Sequence, residues 1–216
     1  SEIARRNNIE CFDVYTGFKF IAKVIRELEG KKKYIGGCKE SFGFMPSDFV
    51  RDKDAVSSCA LMAEITAWAI DQGKTLYELL QDIYLEYGYS KEVMKYVTRR
   101  GKEGADEIQK IMKDLRTDPP TALGGSPTEW VKDYSTLVAK NLLNCREKKI
   151  DQKVTSDVLQ FFTREGTKIS VRPSGTEPKI KFYFEIKSEL KSRDRFDEAE
   201  EKAKAKIDDI MKELGL

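Results

Sequence analysis

The stretch Lys179-Ile180-Lys181-Phe182-Tyr183-Phe184-Glu185-Ile186-Lys187 decides the fold. Ile180, Phe182, Phe184 and Ile186 occupy one phase, and Lys179, Lys181, Tyr183, Glu185 and Lys187 the other. Successive side chains of a strand point to opposite faces, so strict period two predicts a strand with one covered face and one wet face. That pattern belongs to an antiparallel sheet, because strands buried on both faces read as unbroken apolar runs. Upstream, Ile169 and Val171 alternate on a second strand, Glu165-Gly166 is a hairpin turn, and Val158 to Thr163 forms a third strand. Val93, Lys95 and Val97 alternate with Met94, Tyr96 and Thr98 on a further strand, and Trp130 to Tyr134 is another. Two helices accompany the strands. Ile108, Ile111, Met112 and Leu115 share a face of one, which Asp118-Pro119-Pro120 ends because the residue before proline is pushed out of helical geometry. Phe196, Ala199, Ala203, Ile207, Ile210 and Leu214 share a face of the other. Asn144 to Lys153 is polar and is expected to be a mobile loop.

Before about Ser90 the periodicity is helical. Ile21, Ile25 and Leu28 share a face, and Gly30 stops that helix. Tyr34-Ile35-Gly36-Gly37 reads as a short strand ending in a glycine turn. Asp54 is a natural N-cap for a long helix in which Val56, Ala60, Ala63, Ala67 and Ile70 form one face, widened by Leu61, Ile65 and Trp68. Gly73 ends it. Thr75 and Glu78 then make a capping box for a helix closed by Gly88.

Composition narrows the chemistry. The chain has 216 residues, 39 Lys+Arg against 37 Asp+Glu, four cysteines and no histidine. Without histidine there is no Ser-His-Asp or Cys-His nucleophile system, no His-liganded zinc and no His general base within it. Cys11, Cys38, Cys59 and Cys145 are scattered, with no Cys-x-x-Cys pair, and read as reduced thiols of a cytoplasmic protein. The near-zero net charge argues against nucleic acid as partner. No apolar run approaches the ~18 residues of a membrane span, so no membrane role is expected.

Between two of the strands lies Arg172-Pro173-Ser174-Gly175-Thr176-Glu177-Pro178-Lys179. Two prolines restrict this loop. Gly175 permits a positive φ, which would turn successive N–H groups inward as an anion-binding nest. Ser174 and Thr176 add hydroxyls, Arg172 a bidentate fork, and Lys181 a cation on the polar face of the next strand. The set suits a phosphate dianion. Two earlier loops, Thr16-Gly17-Phe18-Lys19 and Gly36-Gly37-Cys38-Lys39-Glu40-Ser41-Phe42-Gly43, combine hydroxyls and a carboxylate with aromatic neighbours, as sugar recognition requires. From the residues alone, a glycine-rich turn is the better default for both. Arg51-Asp52-Lys53-Asp54 leads into the long helix.

These four motifs, in this order, resemble the α-D-phosphohexomutase family, in particular bacterial phosphoglucomutase/phosphomannomutase, from about Thr16 to the C-terminus. The resemblance implies an α/β then α+β organisation. Residues 1–90 would be the later part of an α/β domain 3 with its sugar-reading loop. Residues 91–216 would be domain 4, a small antiparallel sheet flanked by helices, moving about a hinge near Tyr89 to Lys91. It implies that Arg172, Ser174, Gly175, Thr176 and Lys181 hold the substrate phosphate, and that Thr16, Gly17, Glu40, Ser41 and Lys53 read the sugar. Lys39 stands where the family usually has an acid in the sugar loop, and Lys181 where it has an arginine. The family's nucleophilic serine loop contains a histidine and its magnesium loop is Asp-rich; neither has a counterpart here. The chain therefore reads as a C-terminal fragment with no catalytic residue and no metal ligand of its own. The missing N-terminal domains would be its partners, a hexose phosphate its ligand, and Mg2+ and a hexose 1,6-bisphosphate the parent enzyme's cofactors. An open strand edge left by truncation would invite an edge-strand dimer. The alternative is a stand-alone sugar-phosphate or anion-binding module without catalysis.

Overall fold

The computed structural model describes residues 2–39, 43–99, 101–175 and 177–215. The chain divides into two compact units, Ser1–Tyr87 and Gly88–Leu216.

In the second unit the sheet is antiparallel and flanked by helices. Its strands are β3 (Tyr89–Thr98), β5 (Ser126–Asp133), β6 (Val138–Asn141), β7 (Glu147–Lys149), β8 (Leu159–Thr163), β9 (Lys168–Pro173) and β10 (Lys179–Ser188), in the spatial order β3-β10-β9-β8-β5-β6-β7, with β4 (Ala122–Leu123) paired to β5. The deciding stretch is the centre of this arrangement: β10 pairs with β3 over ten residues and with β9 over six. Its apolar phase is fully inside, with Ile180 and Phe182 at 0% exposure. Leu159, Phe161, Ile169 and Val171 extend the same layer. Helix α5 (Gly101–Thr117) and helix α6 (Phe196–Glu213) cover it with Ile108, Met112, Phe196, Ala203, Ile207 and Ile210. A buried Phe or Ile side chain stabilises by about 1.5–3 kcal/mol, so this layer holds the unit together. At its margins Lys91 on β3 pairs with Glu200 on α6 at 2.8 Å, and Arg116 at the end of α5 bridges Asp133 and Asp157.

Several expectations are corrected. The expected mobile loop 144–153 contains β7, whose three residues are all exposed and pair with β6. The strand expected from Trp130 begins at Ser126, with a bulge between Thr128 and Trp130. The expected hinge, Tyr89 to Lys91, is regular strand: its three residues pair with Ser188, Lys187 and Ile186. β3 is the edge strand of the sheet, laddered to β10 alone.

The first unit is mostly helical: α1 (Glu2–Arg6), α2 (Phe18–Leu28), α3 (Ala55–Asp71) and α4 (Leu76–Tyr87), with a ribbon of β1 (Gly37–Cys38) and β2 (Phe44–Met45). The strand expected at Tyr34–Gly37 therefore starts only at Gly37. Tyr34 instead packs on the small core of Phe18, Ile25 and Met45, and its hydroxyl donates to the Met45 carbonyl at 2.8 Å. Burial there pushes its pKa up to about 12. Strands of two residues give no template for edge pairing, so the expected edge-strand dimer finds no support in this unit.

The caps are as read. Asp54 accepts from the N–H groups of Val56 and Ser57, and Thr75 and Glu78 exchange side-chain-to-backbone bonds at 3.2 and 2.8 Å. The expected core face of α3 is not covered by the described residues. Only Ala69 of α3 is buried, while Val56 is 81% and Ile70 67% exposed. Helix α3 has just two charged residues, Glu64 and Asp71, and is apolar nearly all round, as helices with neighbours on several sides are.

Candidate functional site

In the second unit the site is built on two adjacent strands. In the β9–β10 ladder Lys181 lies directly opposite Arg172. Both belong to the wet phase and are half-buried, whereas Val171, Ile180 and Phe182 beside them are fully buried. Two cations opposite one another on one sheet face repel, and neither Arg172 nor Lys181 makes a side-chain hydrogen bond or ion pair among the described residues. Elsewhere on that face the charges are compensated: Glu185 takes Lys168 at 3.3 Å and Lys187 at 2.7 Å.

The connecting loop is closed by its own bonds. The N–H of Ser174 donates to the Lys179 carbonyl at 2.8 Å, and the N–H of Lys179 to the Glu177 carbonyl at 2.7 Å. The Arg99 N–H holds the Pro178 carbonyl at 2.9 Å. Lys179 pairs with Glu177 at 2.8 Å. The Lys179 hydrogen bond, with the charges of Lys179 and Lys181, lowers the Glu177 pKa. Gly175 does not take the positive φ expected of it. Its φ lies outside the left-handed region, and a Cβ there would meet nothing within 4 Å. The Ser174 N–H is spent on the Lys179 carbonyl. Thr176 lies outside the described residues.

In the first unit, Thr16 is exposed and Gly17 is the N-cap of α2 at φ 133, a conformation only glycine adopts freely. The ring of Phe18 abuts Gly43, where a Cβ would come within 2.5 Å of it. Lys53 Nζ lies 5.8 Å from the Phe18 ring centroid and 3.2 Å from Asp52. The structure thus gathers Gly17, Gly43 and Lys53 around Phe18. Lys39, Gly43, Lys53 and Ser58 line one shallow groove. Glu40 and Ser41 lie outside the described residues. Asp54 is spent on capping α3 and Asp52 on Lys53, so neither fits a magnesium ligand. Among the described residues no three His, Cys, Asp or Glu side chains cluster to hold a metal.

An antiparallel sheet of this order with a cationic strand-loop-strand corner, in a chain that also carries a helical unit with a glycine-bounded loop, points to one class of protein. Residues 1–87 match the family model for phosphoglucomutase/phosphomannomutase, alpha/beta/alpha domain III, and residues 94–203 the model for the C-terminal domain of the same family. The chain belongs to the phosphoglucomutase/phosphomannomutase family. It is 37% identical over 205 residues to the phosphoglucomutase of Staphylococcus aureus strain MSSA476, covering 95% of this chain and 36% of that one. With the phosphoglucomutase of Staphylococcus haemolyticus strain JCSC1435 it shares 34% identity over 187 residues, covering 85% and 33%. The crystal structure of pp63/parafusin from Paramecium, in its open form, superimposes with a TM-score of 0.60 at 20% identity, covering 89% of this chain and 32% of that one, a likeness of fold. The chain spans about a third of the length of these relatives. No helix among the described residues is long and apolar enough to cross a membrane.

Proposed function

We propose that this chain supplies the phosphate anchor and the sugar-reading loop of a phosphohexomutase. The carrying observation is the pair Arg172 and Lys181, opposite each other on one face of the sheet and without a direct ion pair among the described residues. Keeping two like charges side by side costs stability, and a bound dianion reverses the sign of that cost. Arg172 brings a planar fork and Lys181 a rotatable ammonium. Together they grip phosphate without reading the atom that bears it. Ser174, Gly175 and Thr176 form the loop that closes over the anion. Thr16, Gly17, Glu40, Ser41 and Lys53 are the sugar-reading set.

Such an anchor serves the reversible interconversion of hexose 1- and 6-phosphates. A phosphoryl group passes from an enzyme phosphoserine oxygen to the free hydroxyl of the substrate. The hexose 1,6-bisphosphate so formed reorients, and its other phosphoryl group returns to the serine oxygen. An anchor indifferent to the phosphate's position suits both orientations. The serine and the magnesium-binding carboxylates belong to the polypeptide preceding this region in family members. In this reading the 216 residues bind and orient and do not catalyse by themselves. Magnesium, where bound, offsets charge at the transferring phosphoryl group, a role none of these residues performs.

The test is inorganic phosphate binding by the wild-type chain and Arg172→Ala, followed by phosphorus NMR line broadening. Saturable broadening that the substitution removes supports the anchor. Equal broadening in both proteins overturns it.

A further inference from the structure

We propose that Tyr96 is the sugar-facing wall of the phosphate site, holding the hexose ring of a phosphate ester whose phosphate rests on Arg172 and Lys181. This rests on the phosphate reading above and adds a residue to it. The register puts Tyr96 opposite Lys181, and Lys181 opposite Arg172. The three make one row across β3, β10 and β9, on the face away from the helices. The row ends at Arg172, because the β8–β9 ladder stops at the pair Leu159 and Val171. A ligand reaching beyond its phosphate along this row therefore extends toward Tyr96.

Tyr96 is 58% exposed, whereas Trp130, Phe162 and Tyr183 in the wet phase of the same sheet are half-buried. An aromatic side chain left in water forgoes the largest burial gain a residue type offers. Its hydroxyl makes no hydrogen bond among the described residues. The ring is steadied on one side by Lys179, whose Nζ lies 5.6 Å from the centroid and is itself held by Glu177. The result is a ring braced on one side, its hydroxyl unbonded among the described residues, at the open end of a cationic row.

The spacing suits a hexose phosphate. Neighbouring strands are about 4.8 Å apart, close to the step from an ester phosphorus to the middle of its pyranose ring. With the phosphate on Lys181 and Arg172, the sugar lies over β3. There the tyrosine offers a face for the C–H bonds of the ring and a hydroxyl for its oxygens. Inorganic phosphate reaches only the two cations.

The experiment titrates the full chain, Tyr96→Ala and Tyr96→Phe with glucose 1-phosphate and, separately, with inorganic phosphate. The proposal expects Tyr96→Ala to weaken glucose 1-phosphate binding about three- to tenfold while inorganic phosphate changes less than about twofold. Tyr96→Phe falls between, its loss reporting the hydroxyl's share. Unchanged glucose 1-phosphate affinity in both variants overturns the proposal. So does an equal loss for both ligands, which would place Tyr96 behind the cations rather than against the sugar. Failure of the wild-type chain to bind inorganic phosphate overturns the anchor itself, and the proposal with it. Should Tyr96→Ala not fold, the Tyr96→Phe comparison of the two ligands still decides.

Discussion

Arg172 and Lys181 lie opposite each other in the β9–β10 ladder, and this makes a testable link between stability and the proposed function. Arg172→Gln removes the repulsion and also the fork. It is expected to raise unfolding stability by about 0.2–1 kcal/mol while phosphate binding is lost, as denaturant titration and phosphate NMR together would show. A substitution that lowered both would mean that Arg172 has a structural partner. Asp54 carries the pH prediction. The Ser57 hydroxyl, followed by the N–H groups of Ser57 and Val56, holds its carboxyl below the usual pKa. A folded-state pKa below the unfolded one contributes stability that is complete above the unfolded value, near 3.9, and disappears as pH falls through the folded value. Asp54→Asn should therefore lower the thermal midpoint of the helical unit near neutral pH. The difference from wild type should shrink on acidification below about pH 4. A constant difference at all pH values would contradict the assignment.

At the scale of elements, strands β8, β9 and β10 were legible because each alternates over five or more residues with one apolar phase. The expected consequence is that Phe182→Ala costs about 3–5 kcal/mol in denaturant unfolding, since the ring is fully buried between sheet and helices. Strands β4, β6 and β7 were not legible. Two to four residues hold too few alternations, and Glu147, Lys148 and Lys149 in β7 have no apolar phase at all. On β5, Thr128 is 0% exposed and its hydroxyl has no hydrogen-bond partner among the described residues. Thr128→Val is expected to be neutral or stabilising by up to about 1 kcal/mol, because it removes a buried group that gains no bond. A loss of that size would instead reveal a bound water. The long helix α3 shows the limit of periodicity. The pattern tells which residues share a face, not what covers it. Val56→Lys and Ile70→Lys should shift the stability of this chain by less than about 0.5 kcal/mol, because both side chains already stand in solvent.

For the whole molecule, the change from helical period to period two near Ser90 was visible in the sequence, and the structure changes units at Gly88. At the proposed phosphate site the structure sets Arg172 and Lys181 opposite each other, while Gly175 does not take the positive φ that the sequence allowed. Glycine in a loop licenses a nest without requiring one, and the ladder bond from Ser174 to Lys179 takes the amide that a nest would need. Tyr96 was read as one term of a strand's alternation. Only the register across β3, β10 and β9 shows its place beside the cations. Because the net charge of the chain is only +2, anion binding must come from local arrangement rather than from its overall field. The most direct measurement is an amide shift map of the nitrogen-labelled chain during titration with inorganic phosphate. The account predicts saturable shifts centred on residues 172–181. Lys187, Lys191, Lys202 and Lys206, with Glu165, Glu189 and Glu198 among them, line a separate cleft beside α6. Shifts centred there, or none between 172 and 181, would contradict the account.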